Sequence, residues 1–499
     1  MTKKTYLLGY DIGSSSIKAS LIDSDSGKTI GSATSPNEEL KIQSNKPGWA
    51  EQDPDVWWEH IVKASHQLIE QNDIDGEQIS AIGITYQMHG LVAVDQNGRP
   101  LRPSIIWCDS RAADIGNRAF NDLGRETSLE TYLNSPGNFT ASKLKWVQEN
   151  EPELYKQIHK IMLPGDYIGM KLTGEICTTE SGLSEGIFWN YKTNSVADEL
   201  LDYYQISKDL LPDAKSCFEE HGRLTESAAK TLGLAKGTRV TYRAGDQPNN
   251  AFSLNVLNPG EVAATAGTSG VVYGVSDKPV YDPQSRVNTF IHVNHNQNHP
   301  RYGVLLCING TGILNSWLRQ NLAIDQSLSY EEMNTRAQKI PVGADGVTVL
   351  PFGNGAERIL ENADVGASIY GLNFNRHTNS HLLRAAQEGI VFSLNYGFQI
   401  MKEMGMQTDT VKAGHANMFL SPLFRDAFVQ TTGAELELYD TDGAAGAARG
   451  AGLGAGIYNS ANEAFGGLNK IDVIEPDAKK QSAYGDAYER WLEKLKSVI

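Results

Sequence analysis

Two short stretches, one at the start of the chain and one just past its middle, follow the same plan. "TYLLGYDIGSSSIKASLID" has an apolar run from Tyr6 to Tyr10, then Asp11, Gly13, Ser14 and Ser15, then a second run through Ile17, Ala19 and Leu21. "GEVAATAGTSGVVYGVS" has a run from Glu261 to Ala266, the turn Gly267-Thr268-Ser269-Gly270, and a run from Val271 to Val275. Each predicts a β-hairpin closed by small polar residues. Two such units half a chain apart predict an internal repeat, which confines the fold to architectures with two similar halves.

A turn of this composition can aim successive backbone N–H groups into one concavity, and such a nest holds phosphate oxygens. The same residues also suit a plain tight turn. What favours the first reading is the pairing, since two nests can grip one polyphosphate from both sides. The chain has no GxxxxGK[ST] run, and "GAGLGAG" near Gly450 lacks GxGxxG spacing, which argues against P-loop and Rossmann sites.

Between and after the hairpins, strand-like runs such as "ISAIGITY" and "GVTVLPF" alternate with helical ones such as "DPDVWWEHIVKASHQLIEQ" and "HLLRAAQEGIVFSLNYGFQIMKEM". That alternation predicts an α/β architecture. A chain of 499 residues has room for two large domains. A net charge of −16 argues against nucleic acid as a partner. No run reads as membrane-spanning or as a signal peptide, and "DGAAGAARGAGLGAGIY" predicts a tightly packed helix of small residues. The four cysteines, Cys108, Cys177, Cys217 and Cys307, show no CxxC spacing, so a reduced, cytoplasmic protein is expected. The last helix, with Tyr484, Tyr488, Trp491, Leu492 and Leu495 on one face, is expected to dock on the body.

Three places carry candidate chemistry. Asp246 follows the strand "RVTYRA" and precedes Pro248, so it reads either as a helix N-cap or as a general base that takes a proton from an attacking hydroxyl. Asp11 beside a phosphate nest would repel a phosphate unless a divalent cation stood between them, so its presence implies Mg²⁺; Lys18 is a candidate for added positive charge there or a solvated strand residue. "QMHG" places an amide, a thioether, an imidazole and a bare backbone together in Gln87, Met88, His89 and Gly90, a mixture suited to a polyol. "HVNHNQNH", with His292, His295 and His299, reads as a hairpin tip rather than a metal site.

With those residues in view, the chain resembles the FGGY carbohydrate kinases over nearly its whole length. The resemblance is carried by "YDIGSSSIK", "GWAEQDPDVWW", "QMHGLVAVDQNGRPLRPSIIWCDSR", "LPGDYIGMKLTGE", "GDQ" at Asp246, "GTSG" and "ASIYGLNFNRHTNSHLLRAAQEGI". Met88-His89-Gly90 discriminates best, because glycerol-specific members carry an Arg-Glu pair in that region, and it is similar to the D-xylulose-specific branch. The resemblance implies an α/β fold of the two-domain actin-like ATPase (ribonuclease H-like) type, with the active site in the interdomain cleft. Residues 1–255 would form an N-terminal domain with the sugar site and first phosphate loop, and residues 256–499 a C-terminal nucleotide domain.

By the same likeness ATP and Mg²⁺ are expected, with Asp246 as proton acceptor and Met88, His89, Gly90, Trp107 and Asp109 at the sugar. Asp11, Gly13, Ser14, Ser15, Gly267 and Thr268 would surround the phosphates, Asp11 would face the metal, and Gly312 and Gly414 would lie on the nucleotide side. The expected activity is phosphoryl transfer from ATP to D-xylulose. A kinase for L-ribulose or gluconate and a sugar-independent nucleotide switch are the rivals, and a homodimer is an expected assembly. Three positions depart from the family pattern: Cys108 stands in place of Asn, "KAGHANMFLSPLF" replaces a run of three glycines, and Gln387 occupies an apolar position.

Overall fold

The computed structural model describes residues 4–322 and 328–499. Two mixed sheets organise it. In the first, Thr29–Ser35, Ile17–Asp23, Tyr6–Ile12, Ile79–Tyr86 and Arg239–Gly245 lie side by side in that order, with Gly222–Arg223 at the far edge. The first three strands run antiparallel to one another, and the next two pair in parallel. In the second sheet the order Tyr302–Ile308, Gly270–Ser276, Val262–Ala266, Thr410–Gly414 and Glu435–Tyr439 repeats the pattern of two antiparallel pairings followed by two parallel ones. Asn288–Ile291 and Lys470–Ile474 extend its edges. The expected repeat is therefore a repeat of five strands, of which the two hairpins are the opening pair.

The central strands carry apolar residues on both faces because helices cover both sides of each sheet. Tyr6–Ile12 is buried at every position but Asp11. One of its covering helices comes from the other half of the chain: Gly443–Gly454 lies across the first sheet with its backbone almost touching it. A Cβ on Gly9 would sit 1.9 Å from the Ala444 carbonyl oxygen, and one on Gly83 would sit 2.0 Å from that of Ala447. The small residues of "DGAAGAARGAGLG" thus serve a close helix–sheet contact, as the sequence predicts.

The C-terminal helix Ala478–Lys496 docks as expected, burying Tyr484, Trp491 and Leu495, with the Trp491 indole N–H donating to the Val349 carbonyl at 2.9 Å. Among the described residues no helix is long and apolar enough to cross a membrane.

Candidate active site

Sheet register brings the candidate residues together. The parallel strands Tyr6–Ile12, Ile79–Tyr86 and Arg239–Gly245 end at one level, since Ile12 and Gly245 both pair with Tyr86. Their C-terminal ends deliver Asp11, the Gln87–Gly90 turn and Asp246 to the same edge, where open α/β sheets bind ligands. Gly245 is the N-cap of the helix Asp246–Ser253, so Asp246 stands in its first turn and is not the cap residue.

Asp246 and Asp11 form an electrostatic pair. Burial and the Asp11 charge push Asp246 up to about 7. Asp11 is itself pushed up to about 6 by burial, with Asp442 adding to the shift and Lys18, its partner across the hairpin, opposing it. A Cβ on Gly443 would come within 2.6 Å of an Asp11 carboxylate oxygen, so Asp11 borders the start of the glycine-rich helix. Two half-buried carboxylates that repel each other suit a divalent cation held through one or two carboxylates, waters and phosphate oxygens.

His89 adopts φ +61° and is held from three sides. Its Nδ1 lies 2.9 Å from the Glu185 carbonyl oxygen, which can only accept, so Nδ1 carries the proton and Nε2 is left as an acceptor. Its backbone N–H donates to the Glu185 carboxylate at 3.3 Å, and its carbonyl accepts from the Lys143 ammonium at 2.9 Å. Burial, with Lys143 and Arg358 nearby, lowers its imidazole to about 3, which keeps it neutral. Its ring meets Phe139 edge-on at 4.8 Å and Phe290, from the second sheet, at 5.4 Å.

Glu185, Lys143, Glu357 and Arg358 escaped sequence reasoning because each acquires its place only through long-range packing. Glu185 is fully buried and pushed well above the usual carboxyl range by burial, with Asp246 and Asp166 adding to the shift. Among the described residues its Oε2 has no hydrogen-bond partner, and it would lie 2.4 Å from a Cβ on Gly245. Lys143, lowered to about 8 by burial, also donates to the Ile106 carbonyl at 2.9 Å and so ties two loops of the site together.

Met88 is buried against Gly245, where a Cβ would meet its Cγ at 2.7 Å. Two of the residues expected at the sugar, Asp109 and Gly90, have protein partners of their own. Asp109 is fully buried, forms a bidentate pair with Arg111 and accepts from the Ala50 N–H at 2.6 Å, so its carboxylate is already engaged. Gly90 is required by Pro164, whose Cγ would lie 2.6 Å from an added Cβ. Trp107 is exposed, and its indole N–H donates to the Ser14 hydroxyl at 3.3 Å, linking the "IWCD" stretch to the first hairpin turn. That turn is closed by Gly13 N–H donating to the Ser16 carbonyl at 3.1 Å, with Ser15 exposed at its tip.

In the second half, the helix Gly312–Asn321 braces the turn at Gly267 and Thr268. Gly312 and Ile313 donate to their carbonyls at 2.9 and 3.2 Å, and a Cβ on Gly312 would strike the Gly267 oxygen at 2.2 Å. Gly414 ends a parallel strand, where an added Cβ would lie 3.4 Å from the Thr441 carbonyl oxygen, and Asn417 beyond it lies against Gly267. Trp317 and Leu420 are exposed nearby, on segments whose helices share an apolar cluster through Leu318 and Leu423. Gln387 proves to be a polar clip. It accepts from Ser421, the N-cap of Pro422–Thr432, at 2.8 Å and donates to Asn334 at 2.9 Å. His292 has both ring nitrogens engaged, with the Tyr273 hydroxyl at 3.0 Å and the Val256 carbonyl at 3.1 Å.

Two duplicated sheets, each with a glycine-containing turn beside its parallel strand ends, define a two-domain α/β protein of the actin-like ATPase class. The chain belongs to the FGGY family of carbohydrate kinases, whose N-terminal domain model matches residues 6–253 and whose C-terminal domain model matches residues 262–456. A curated relative, a xylulose kinase of Haemophilus influenzae, is 30% identical and aligns over 98% of this chain and 99% of its own length. A crystal structure of a Brucella ovis protein described as a xyloylose kinase superposes with TM-score 0.88 at 25% identity, covering 99% of both chains. Plasmodium falciparum glycerol kinase with ADP superposes with TM-score 0.86 at 23% identity, over 99% of this chain and 98% of that one. Relatives named for different substrates thus share the fold almost equally, and the fold alone does not select the sugar.

Proposed function

We propose that the protein transfers the γ-phosphoryl group of ATP to the terminal hydroxyl of D-xylulose, giving D-xylulose 5-phosphate and ADP. The observation that carries this reading is the placement of Asp246, a carboxylate raised to about 7, at the strand end next to Glu185, Met88 and His89. The relative named xylulose kinase supports the choice of sugar.

In this reading the sugar lies along Met88 and His89. Met88 faces its carbon chain, and the unprotonated Nε2 of His89 accepts from a hydroxyl. Asp246 takes the proton of the terminal hydroxyl as that oxygen attacks the γ-phosphorus, and the bond to the ADP oxygen breaks. Gly90 shapes the turn. Trp107 walls the site beside Ser14, and Asp109 acts through Arg111 and Ala50 to hold that wall. The backbone around Gly13, Ser14, Ser15, Gly267 and Thr268 cradles the phosphates. Gly312 supports the second cradle, and Gly414 lies on the nucleotide side at a strand end. Asp11, with Asp246 close by, would hold Mg²⁺, which when bound spreads charge off the transferring group.

ADP release with ATP and Mg²⁺ should be measured in parallel with D-xylulose, L-ribulose, D-ribulose, glycerol and gluconate. Release should be strongest with D-xylulose. Equal release with and without any sugar would instead identify a sugar-independent nucleotide switch.

A further inference from the structure

Arg358 follows Glu357 in the loop that joins Thr348–Phe352 to Gly366–Tyr370. Glu357 anchors that loop, its carboxylate accepting from the Asn309 N–H at 3.0 Å and the Gly310 N–H at 3.1 Å. Arg358 is thereby held with its guanidinium over the ring of Phe139, 5.6 Å from the centroid. Phe139 in turn meets His89 edge-on. The second half of the chain thus reaches the sugar side of the first.

Among the described residues Arg358 has no carboxylate partner. Its one protein hydrogen bond is long, from Nη1 to the Ser285 carbonyl at 3.5 Å. A guanidinium carries five N–H donors, and a half-buried, unpaired charge is unfavourable unless acceptors are supplied. Besides the Ser285 carbonyl it meets an aromatic face and feels the Cys307 thiol, neither of which meets that demand. The remaining donors are free for water or for the oxygen atoms of a ligand.

A run of contacts links Asp246 to Arg358 along the sugar side. Asp246 adjoins Gly245, which borders Glu185 and Met88; Glu185 holds His89, His89 meets Phe139, and Phe139 lies under Arg358. A sugar whose terminal hydroxyl is at Asp246 and whose chain runs along Met88 and His89 points its other end at Arg358.

We propose that Arg358 is a specificity-determining residue, whose guanidinium takes the oxygen atoms at the carbonyl end of an open-chain ketose. This rests on the sugar-kinase reading above. A planar fork of donors fits a keto oxygen and its neighbouring hydroxyl better than it fits the tetrahedral carbons of a reduced polyol.

The test compares kcat/KM for D-xylulose with kcat/KM for xylitol, which carries a hydroxyl in place of the carbonyl, in wild type, Arg358→Gln and Arg358→Lys. Arg358→Gln should lose about 100-fold on the ketose and only a few-fold on the polyol, with ATP affinity unchanged, because the planar guanidinium makes its charge-assisted bonds in better geometry to the keto oxygen and its neighbouring hydroxyl than to the hydroxyls on tetrahedral carbons. Arg358→Lys, which keeps the charge and the fold, should give an intermediate ratio. If the wild type uses D-xylulose and Arg358→Gln leaves the ratio unmoved, or lowers both activities equally, the inference is overturned and the kinase reading stands. A wild type active on gluconate and on no ketose would overturn both.

Discussion

The Lys143 ammonium lies 2.9 Å from the carbonyl oxygen of His89, and so fixes from below a residue held at φ +61°. The same ammonium reaches the Ile106 carbonyl, one residue before Trp107. A fully buried lysine is thus the joint between the two loops proposed to hold the sugar.

Replacing Lys143 with Met keeps the volume and removes the donors. Two buried carbonyls lose their partner, at about 1–3 kcal/mol each. The expected result is a melting temperature lowered by several degrees and a KM for the sugar raised about 10-fold, while ATP affinity is unchanged. Calorimetry and steady-state kinetics on the variant check both. An unaltered KM would show that His89 keeps its place without Lys143.

The second prediction concerns proton uptake. Asp246 must be ionised to act as a base, so kcat/KM should fall as pH drops through about 7, the value to which burial and Asp11 raise it. Removing the Asp11 charge relieves one of the two causes, which lowers the Asp246 pKa. Carbon-13 NMR titration of labelled aspartates should therefore place Asp246 near 7 in the free protein and lower in Asp11→Asn. An Asp246 resonance titrating at the ordinary carboxylate value in both proteins would contradict the pairing.

The first hairpin, the second hairpin and the place of Asp246 just past a strand are legible in the sequence because each is a local signal: turn residues between apolar runs, or a carboxylate between a strand and a helix. The small-residue helix Gly443–Gly454 was legible as close-packed, but not as a cover for the sheet of the other half. Lys143, Glu185, Glu357 and Arg358 carry no local signal, since each matters through a partner tens of residues away or more. Asp109 and Gly90 stand out in the sequence only as parts of motifs, and their neighbours Arg111 and Pro164 show packing reasons for them that composition does not reveal.

Two glycines give opposite signs for one substitution. Ala at Gly83 would place its Cβ 2.0 Å from the Ala447 carbonyl oxygen, a backbone atom that yields only if the helix moves, so Gly83→Ala should destabilise by about 1–3 kcal/mol or more. Gly485 lies inside the helix Ala478–Lys496 with nothing within 4 Å of its added Cβ, so Gly485→Ala should stabilise by up to about 1 kcal/mol. Denaturant unfolding of the two variants reads both signs, and a stabilised Gly83→Ala would mean the helix does not lie as closely on the sheet as described.

The measurement that bears most directly on the chemistry is turnover by Asp246→Asn on whichever sugar the wild type uses best, with folding and sugar affinity measured on the same preparation. General-base catalysis contributes about 10²–10⁴-fold. If Asp246 is the general base, kcat falls by at least about 100-fold while the melting temperature and the sugar Kd stay close to wild type. Near-normal turnover by a folded, sugar-binding Asp246→Asn would contradict it.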